Sequence, residues 1–459
     1  MGTLRPVARR KKDAQDISPF GLAVALHKSF LDAFLTRGAG RLLRHRPYLI
    51  YLSTDFICNT GQWAFRVGTG YLAWDLTHSG FWLGVNALMA ALPFFGILPI
   101  AGAFADRTNR LNIIRHTRTF GIVLTLALAF LTLMGWIEIY ILNAFTFFIA
   151  VNQTFTQPVR MTMAPALVPR EDLAAAIGVN AGMQSTARFI GPMVGGAMIA
   201  ALGPASVFIL NAFSFSVSLM GLLNITLPPE EQDLSEARGL AADVLAGLRY
   251  AFTHASIGPM LILIFVISVL TLPFLELFPG FNDAIFHEGP HGLGMLMSSV
   301  GLGGILGSVF VANVGRTKAL LSWSFVLMGI TCLFDLVFAS TDIFWVALVS
   351  VAALGFCITC WQSTTTVLIQ VSVEGRMRAR VMSIYALTFR ACSSLGAMIA
   401  GAFSHSFGLQ KPMIGMALVA FVWLISYLPK RRKLAQDFEA ALPKPTPLPE
   451  PELERKAAE

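Results

Sequence analysis

The chain has 459 residues, 55% of them hydrophobic and only 13% charged, with a net charge of +8. Soluble domains carry roughly 25% charged residues, so a chain of this length lacks the polar surface that two or three soluble domains need. Its positive charge gathers at the two ends, with ten Lys/Arg before Pro47 and four more from Lys430 to Lys433. That pattern flanks a membrane-embedded body and argues against a nucleic-acid-binding face.

In residues 1–47, Arg9 to Lys12 imitate a charged leader, but His27, Lys28 and Asp32 interrupt the apolar run from Phe20 to Phe34, so no secretory signal is read. Residues 20–45 instead predict an amphipathic helix on the membrane surface, with Phe30 and Phe34 on one face. Twelve apolar stretches follow, at 48–74, 80–104, 112–136, 139–160, 173–201, 203–227, 256–280, 292–314, 318–340, 342–370, 379–404 and 408–429. A helix of about 20 apolar residues spans the hydrocarbon core, so the expected fold is all-α and integral to the membrane, with twelve transmembrane helices. They group as a six-span bundle over 48–227, a polar linker over 228–255 and a second six-span bundle over 256–429, followed by a charged, proline-rich tail over 430–459 that is predicted to be disordered.

The loops after the even-numbered spans carry Arg107, Arg110, Arg115, Arg118, Arg160, Arg170, Arg238, Arg249, Arg316, Lys318, Arg376, Arg378 and Arg380, whereas the opposite side carries only Lys411. By the positive-inside bias both termini face the cytoplasm. The halves also resemble each other, since G-A-M-I-A occurs at 196–200 in span 5 and again at 396–400 in span 11. Parallel six-span repeats place a substrate site between the halves near the bilayer midplane.

Ionisable residues within a span are costly and face a cavity or a partner. In chain order they are Asp55 and Arg66 in span 1, Arg188 in span 5, Glu276 in span 7, Asp335 in span 9 and Arg390 in span 11. Asp55, Arg66, Glu276 and Asp335 are the candidates for proton or ion coupling, with Asp55 foremost. Asp55 and Arg66 share a helical face about 16 Å apart along the axis and line one pathway without touching. Glu276 and Asp335 fall near the outer ends of their spans, where the plainer reading is that they reach water. Arg188 and Arg390 occupy corresponding helices and suit either an anionic or carbonyl-rich substrate or buried acidic partners. Polar patches recur in corresponding spans, with Asn143, Asn152, Gln153 and Gln157 in span 4 and Gln362 to Thr366 with Gln370 in span 10. Together with Gln62, residues Asn152, Gln153, Gln157, Gln362 and Thr365 are candidates to line a cavity; hydrogen bonding between helices is the alternative.

Three motifs carry no chemistry. H-E-G-P-H at His287 to His291 matches the zinc pattern H-E-x-x-H, but Gly289 and Pro290 break the helix that such a site needs. Cys357 and Cys360 form C-x-x-C inside a span, and Cys58, Cys332 and Cys392 also lie in spans, so all five read as small buried packers. No phosphate-cradling G-x-x-x-x-G-K-S/T loop occurs, and no nucleophile–base pair stands at usable spacing. No enzyme, cofactor or metal is expected, and energy should come from an ion gradient.

After span 2 comes G-A-F-A-D-R-T-N-R, in which Gly102, Asp106, Arg107 and Arg110 resemble the loop 2–3 signature of the major facilitator superfamily. A narrower resemblance, to the enterobactin-exporter and macrolide-efflux branch, rests on G-Q-W-A-F-R-V at 61–67, Q-P-V-R at 157–160, A-R-F-I-G-P-M-V-G-G at 187–196 and R-M-R-A-R-V-M at 376–382. The resemblance implies two pseudo-symmetric six-helix bundles. It also implies a loop 2–3 cluster that holds the cytoplasmic face closed (ordinary positive-inside charge being the plainer reading), and a close helix contact at Gly191, Pro192, Gly195 and Gly196. The counterpart after span 8, A-N-V-G-R-T-K at 312–318, lacks the acid. Many relatives carry an acid after the span-1 glycine, where this chain has Gln62. The implied function is a proton-driven exporter (an antiporter) of a small amphipathic molecule such as a siderophore, drug or metabolite. It would work as a monomer in the bacterial inner membrane, with the lipid bilayer, a proton gradient and the small-molecule substrate as its partners. A lysophospholipid transporter or flippase of the same fold, or a non-transporting scaffold or sensor, are the alternatives.

Overall fold

The computed structural model describes residues 38–226, 249–250, 253–254, 257–314, 320–373 and 375–429. The expected surface helix before residue 38, the linker over 227–248 and the tail from 430 lie outside the described residues. A short 3-10 segment, Gly38–Arg44, leads into the first helix and is tied to the start of span 5 by Arg41, whose guanidinium meets Asp172 at 2.7 Å.

The first half comprises α1 (Arg46–Thr77), α2 (Gly80–Gly96), α3 (Leu98–Arg107), α4 (Arg110–Leu133), α5 (Ile139–Leu167), α6 (Leu173–Leu202) and α7 (Ala205–Leu223). The second comprises α8 (Ile257–Thr271), α9 (Phe274–Phe281), α10 (Gly289–Val314), α11 (Leu320–Ser340), α12 (Phe344–Ser372), α13 (Gly375–Phe407) and α14 (Gln410–Tyr427). Among the described residues ten helical segments are long and apolar enough to cross a membrane. The remaining two crossings are α1, whose 32 residues are too polar to stand out, and span 2, which is broken into α2 and α3.

Local chemistry explains the breaks. Pro93 and Pro99 flank the α2–α3 junction, each lacking the N–H that would continue the backbone ladder. Pro273 divides span 7 between α8 and α9, and a π-turn over Asn282–Phe286 ends that span at His287, whose φ of 54° is left-handed. Asn109 starts α4 by accepting the backbone N–H of Leu111 at 2.9 Å. Gly203, at φ 80°, closes α6 and lets the chain turn directly into α7.

The packing is that of a duplicated unit. Span 1 packs on spans 5 and 6, as span 7 packs on spans 11 and 12; α2 packs on α5 as α10 packs on α12; α4 packs on α7 as α11 packs on α14. The halves meet where the second span of each touches the fifth span of the other, α2 on α13 and α6 on α10. Both seams are backbone contacts. A Cβ at Gly84 would stand 2.5 Å from Met398 Cα, one at Gly401 would strike the Gly80 carbonyl, and one at Gly196 would stand 2.9 Å from Gly294 Cα. These glycines sit at the end of the bundle away from the basic loops. At the basic end α3 packs on α5 of its own half. The repeated G-A-M-I-A is not in structural register. Gly196 faces the other half, whereas Gly396 packs on Val269 and Pro273 of its own half, as Gly191 and Gly195 pack on α1.

Such seams leave no room for side chains, so Gly84→Leu should cost about 1–3 kcal/mol in the closed arrangement and force this end apart. Spin labels on the ends of α2 and α13 nearest the seam should report a longer, broader separation than in the unsubstituted protein. An unchanged distance distribution would count against the seam.

Candidate functional site

Beside the seams, at mid-depth, lies a cavity of about 400 Å³ lined from both halves, by α1, α2, α5 and α6 on one side and α9, α10, α12 and α13 on the other. Helical periodicity supplies its walls. Asn59, Gln62, Trp63, Arg66, Thr69 and Gly70 recur every three to four residues and give α1 one continuous cavity face.

The charged centre of this cavity joins the halves. Arg66 of α1 forms an ion pair with Glu276 of α9, and the same carboxylate oxygen accepts the Ser393 hydroxyl of α13 at 2.7 Å. Trp63 lies within cation–π range of two guanidiniums, Arg66 at 5.6 Å and Arg188 at 5.2 Å from the ring centroid. Arg188 takes this position because Gly191, one turn later, allows α6 to rest on α1, where a Cβ would stand 2.8 Å from the Thr60 carbonyl oxygen. Gly195 continues the contact along Ala64, and Pro192 presents its carbonyl to Gly294 across the seam.

Of the polar candidates, Gln62, Gln153 and Gln362 line the cavity. Asn152 is buried near Gly121 and Phe215, its amide nitrogen 3.1 Å from where a Gly121 Cβ would stand, and Gln157 does not line the cavity. Thr365 bonds the Tyr385 hydroxyl at 2.7 Å, Thr364 bonds Ser324 at 2.7 Å, and Asn86 donates to Asn143 at 3.0 Å. The polar patches therefore divide between cavity wall and interhelical bonds.

A second network lies within the first half. Asp55, 3% exposed, receives Arg160 of α5 at 3.0 Å and Asn59 at 2.8 Å, and Arg118 of α4 stands 3.7 Å away with its guanidinium over the Phe215 ring at 5.4 Å. Asp55 and Arg66 thus belong to separate networks. Counting Arg115, Arg118 and Arg160 as loop charges requires correction, because all three lie inside helices. Arg115 spans to α7, where it donates to the Leu222 carbonyl at 2.8 Å. Arg115 and Arg118 already fall inside the apolar stretch 112–136 and Arg160 ends the stretch 139–160, while α4 begins at Arg110 and α5 continues to Leu167. The signal was present in α5, where Asn152, Thr156 and Arg160 follow at intervals of four residues and extend one polar face.

The reading that Asp335 reaches water is also overturned. Asp335 is 0% exposed, and among the described residues neither carboxylate oxygen has a hydrogen-bond partner; α11 turns this face, shared with buried Phe338 one turn later, inward. Glu276 instead opens to the cavity. In the loop 2–3 motif, Gly102 and Arg110 lie at the α3–α4 corner, and the side chains of Asp106 and Arg107 lie outside the described residues, as does that of Arg390 in α13. His287 occupies the left-handed turn and His291 the next helix, so H-E-x-x-H forms no shared helical face. The five cysteines are buried free thiols.

The profile of the transmembrane secretion effector family matches residues 42–458. The chain belongs to the major facilitator superfamily. This superfamily's transporters, not enzymes, are its relatives. It is 19% identical over 391 residues to the staphyloferrin A transporter of Staphylococcus aureus, covering 84% of this chain and 96% of that protein. It is 22% identical over 405 residues to the multidrug efflux pump Tap of Mycolicibacterium fortuitum, covering 84% and 97%. Among solved structures, a bacterial homologue of the human lysosomal transporter Spinster, in an inward-facing and unoccupied conformation, shares the fold with a TM-score of 0.63 at 14% identity, covering 87% of this chain and 99% of that one.

Removing one member of a buried charge network strands the rest. Asp55→Asn leaves Arg118 and Arg160 without their anion and should destabilise the protein by about 3–5 kcal/mol. Thermal unfolding in detergent should show a clearly lowered midpoint, and a midpoint equal to that of the unsubstituted protein would refute the assigned network.

Proposed function

We propose that this chain is a proton-driven exporter of small amphipathic molecules that works by alternating access as a monomer in the bacterial inner membrane, with both termini in the cytoplasm. Membership of the family supports transport, and the efflux role of the relative Tap supports the direction. With the basic loops on the cytoplasmic side, the closed seam is the outer one, and the cavity belongs to an inward-facing state.

The observation that carries this reading is the Arg66–Glu276 pair, formed between the halves and inside the cavity. Rocking one half against the other must break it, which couples the charge on Glu276 to the conformational change. A proton placed on Glu276 removes its half of the attraction and frees Arg66, while Ser393 still offers the neutral acid a hydrogen-bond partner. Asp55 suits the role less well. Its partners lie in its own half, it does not line the cavity, and neutralising it would leave two buried cations rather than release a contact between the halves.

Glu276→Gln should therefore abolish pH-gradient-driven flux while leaving gradient-independent binding largely intact. The measurement is dye flux in proteoliposomes with an imposed pH gradient, alongside equilibrium binding in detergent. A Glu276→Gln protein that still responds fully to the gradient would remove Glu276 from the coupling role.

A further inference from the structure

We infer that the cavity takes an organic anion with an apolar body, its acidic group seated on Arg188 and its body against the apolar side chains of the cavity wall. This deepens the exporter reading by naming the substrate class, and rests on it only for the movement of the ligand.

Among the described residues the charges on the cavity wall are Arg66, Arg188 and Glu276. Glu276 is already shared by Arg66 and Ser393. Arg188 has no carboxylate partner among the described residues; what holds its guanidinium is the Trp63 ring at 5.2 Å. Arg188 opens to the cavity, and a cation at membrane depth that faces a cavity without an anion marks a site where an anion can arrive. The indole face restrains the guanidinium without using its N–H donors, which stay free for a bidentate acid.

Both arginines stand on the first half's wall, with Asn59, Gln62 and Gln153, whereas Glu276 stands on the second. Apolar side chains come from both halves, Phe65, Leu83 and Ile149 from the first and Leu275, Val300 and Phe389 from the second. A ligand with a charged end and a greasy body matches an arginine set in such a wall, and a cation would meet Arg188 without compensation. About 400 Å³ lies within the range of roughly 300–1,000 Å³ common for drug-sized ligands. Arg66 also ties this ligand to coupling, since Glu276 and an acid bound beside Trp63 are alternative partners for Arg66.

The test uses fluorescein, an aromatic carboxylate, and the rhodamine methyl ester, a cation on the same three-ring frame. Binding of each to the purified full chain in nanodiscs is followed by fluorescence anisotropy without any gradient. The unsubstituted protein should bind fluorescein in preference to the ester, and this preference tests the proposal without any variant. Arg188→Gln should weaken fluorescein binding about tenfold or more and erase the preference, and Arg188→Lys should restore part of it. Preference of the unsubstituted protein for the cation, no fluorescein binding, or an Arg188→Gln protein with an unchanged unfolding midpoint and unchanged fluorescein affinity would each overturn the proposal. Fluorescein that binds through Arg188 but does not move under a pH gradient would overturn the exporter reading and leave this one standing. Gradient-driven flux of the cation alone would do the reverse.

Discussion

Helices in lipid gain little from hiding apolar surface from apolar solvent, so their association rests on close backbone packing. The two halves touch through such contacts. Gly80 and Gly84 against Met398 and Gly401, and Gly196 against Gly294, bring main chains together where a single methyl group would collide. Because α2 and α6 reach the opposite half at one end, while α3 packs on α5 of its own half at the other, the bundle closes at one end around a central hollow. The depth of the cavity, the reach of Arg66 to Glu276 and the placement of Arg188 over Trp63 all follow from where the glycines allow contact.

The two buried charge networks have different physical consequences. Asp55 with Arg118 and Arg160 joins α1, α4 and α5 of one half, so its energy does not depend on the separation of the two halves. It acts as a rivet, and its excess positive charge is softened by the Phe215 ring beside Arg118. Arg66 with Glu276 crosses the hollow, so its energy depends directly on the separation of the halves. Ion pairs within protein are sensitive to small changes in distance and solvation, which is what a group coupling charge to motion requires. Asp335 belongs to neither network; it is fully buried, and its two oxygens have no partner among the described residues.

Hydropathy made the twelve crossings legible, since a bilayer demands long apolar helices and the basic loops alternate. It was blind to the partners of charges within the spans. Arg118 lies inside the apolar stretch 112–136 and Arg160 at the last residue of 139–160, and only the three-dimensional packing turns them towards Asp55. Partnerships across the halves were equally hidden, because Arg66 and Glu276 are 210 positions apart and no local pattern links them. The dual use of the polar patches also depends on helix rotation. Gln153 and Asn152 are adjacent in sequence but point to the cavity and to the helix interior respectively. By contrast, the glycines and Pro192 of span 5 were readable, since small residues at helical spacing in a membrane have few uses other than close packing.

Gln62 acquires a physical meaning in this arrangement. It stands one turn before Arg66, and its amide donates to the Cys58 sulfur at 3.3 Å. An acid there would be an i, i+4 partner for Arg66 and would neutralise the arginine within α1. Arg66 would then have no need of Glu276, and the halves would lose the charge contact that spans the cavity. A neutral amide at 62 leaves Arg66 to find its anion on the other half, at Glu276 of α9, so the identity of residue 62 decides whether the charge of α1 is answered within its own helix or across the cavity.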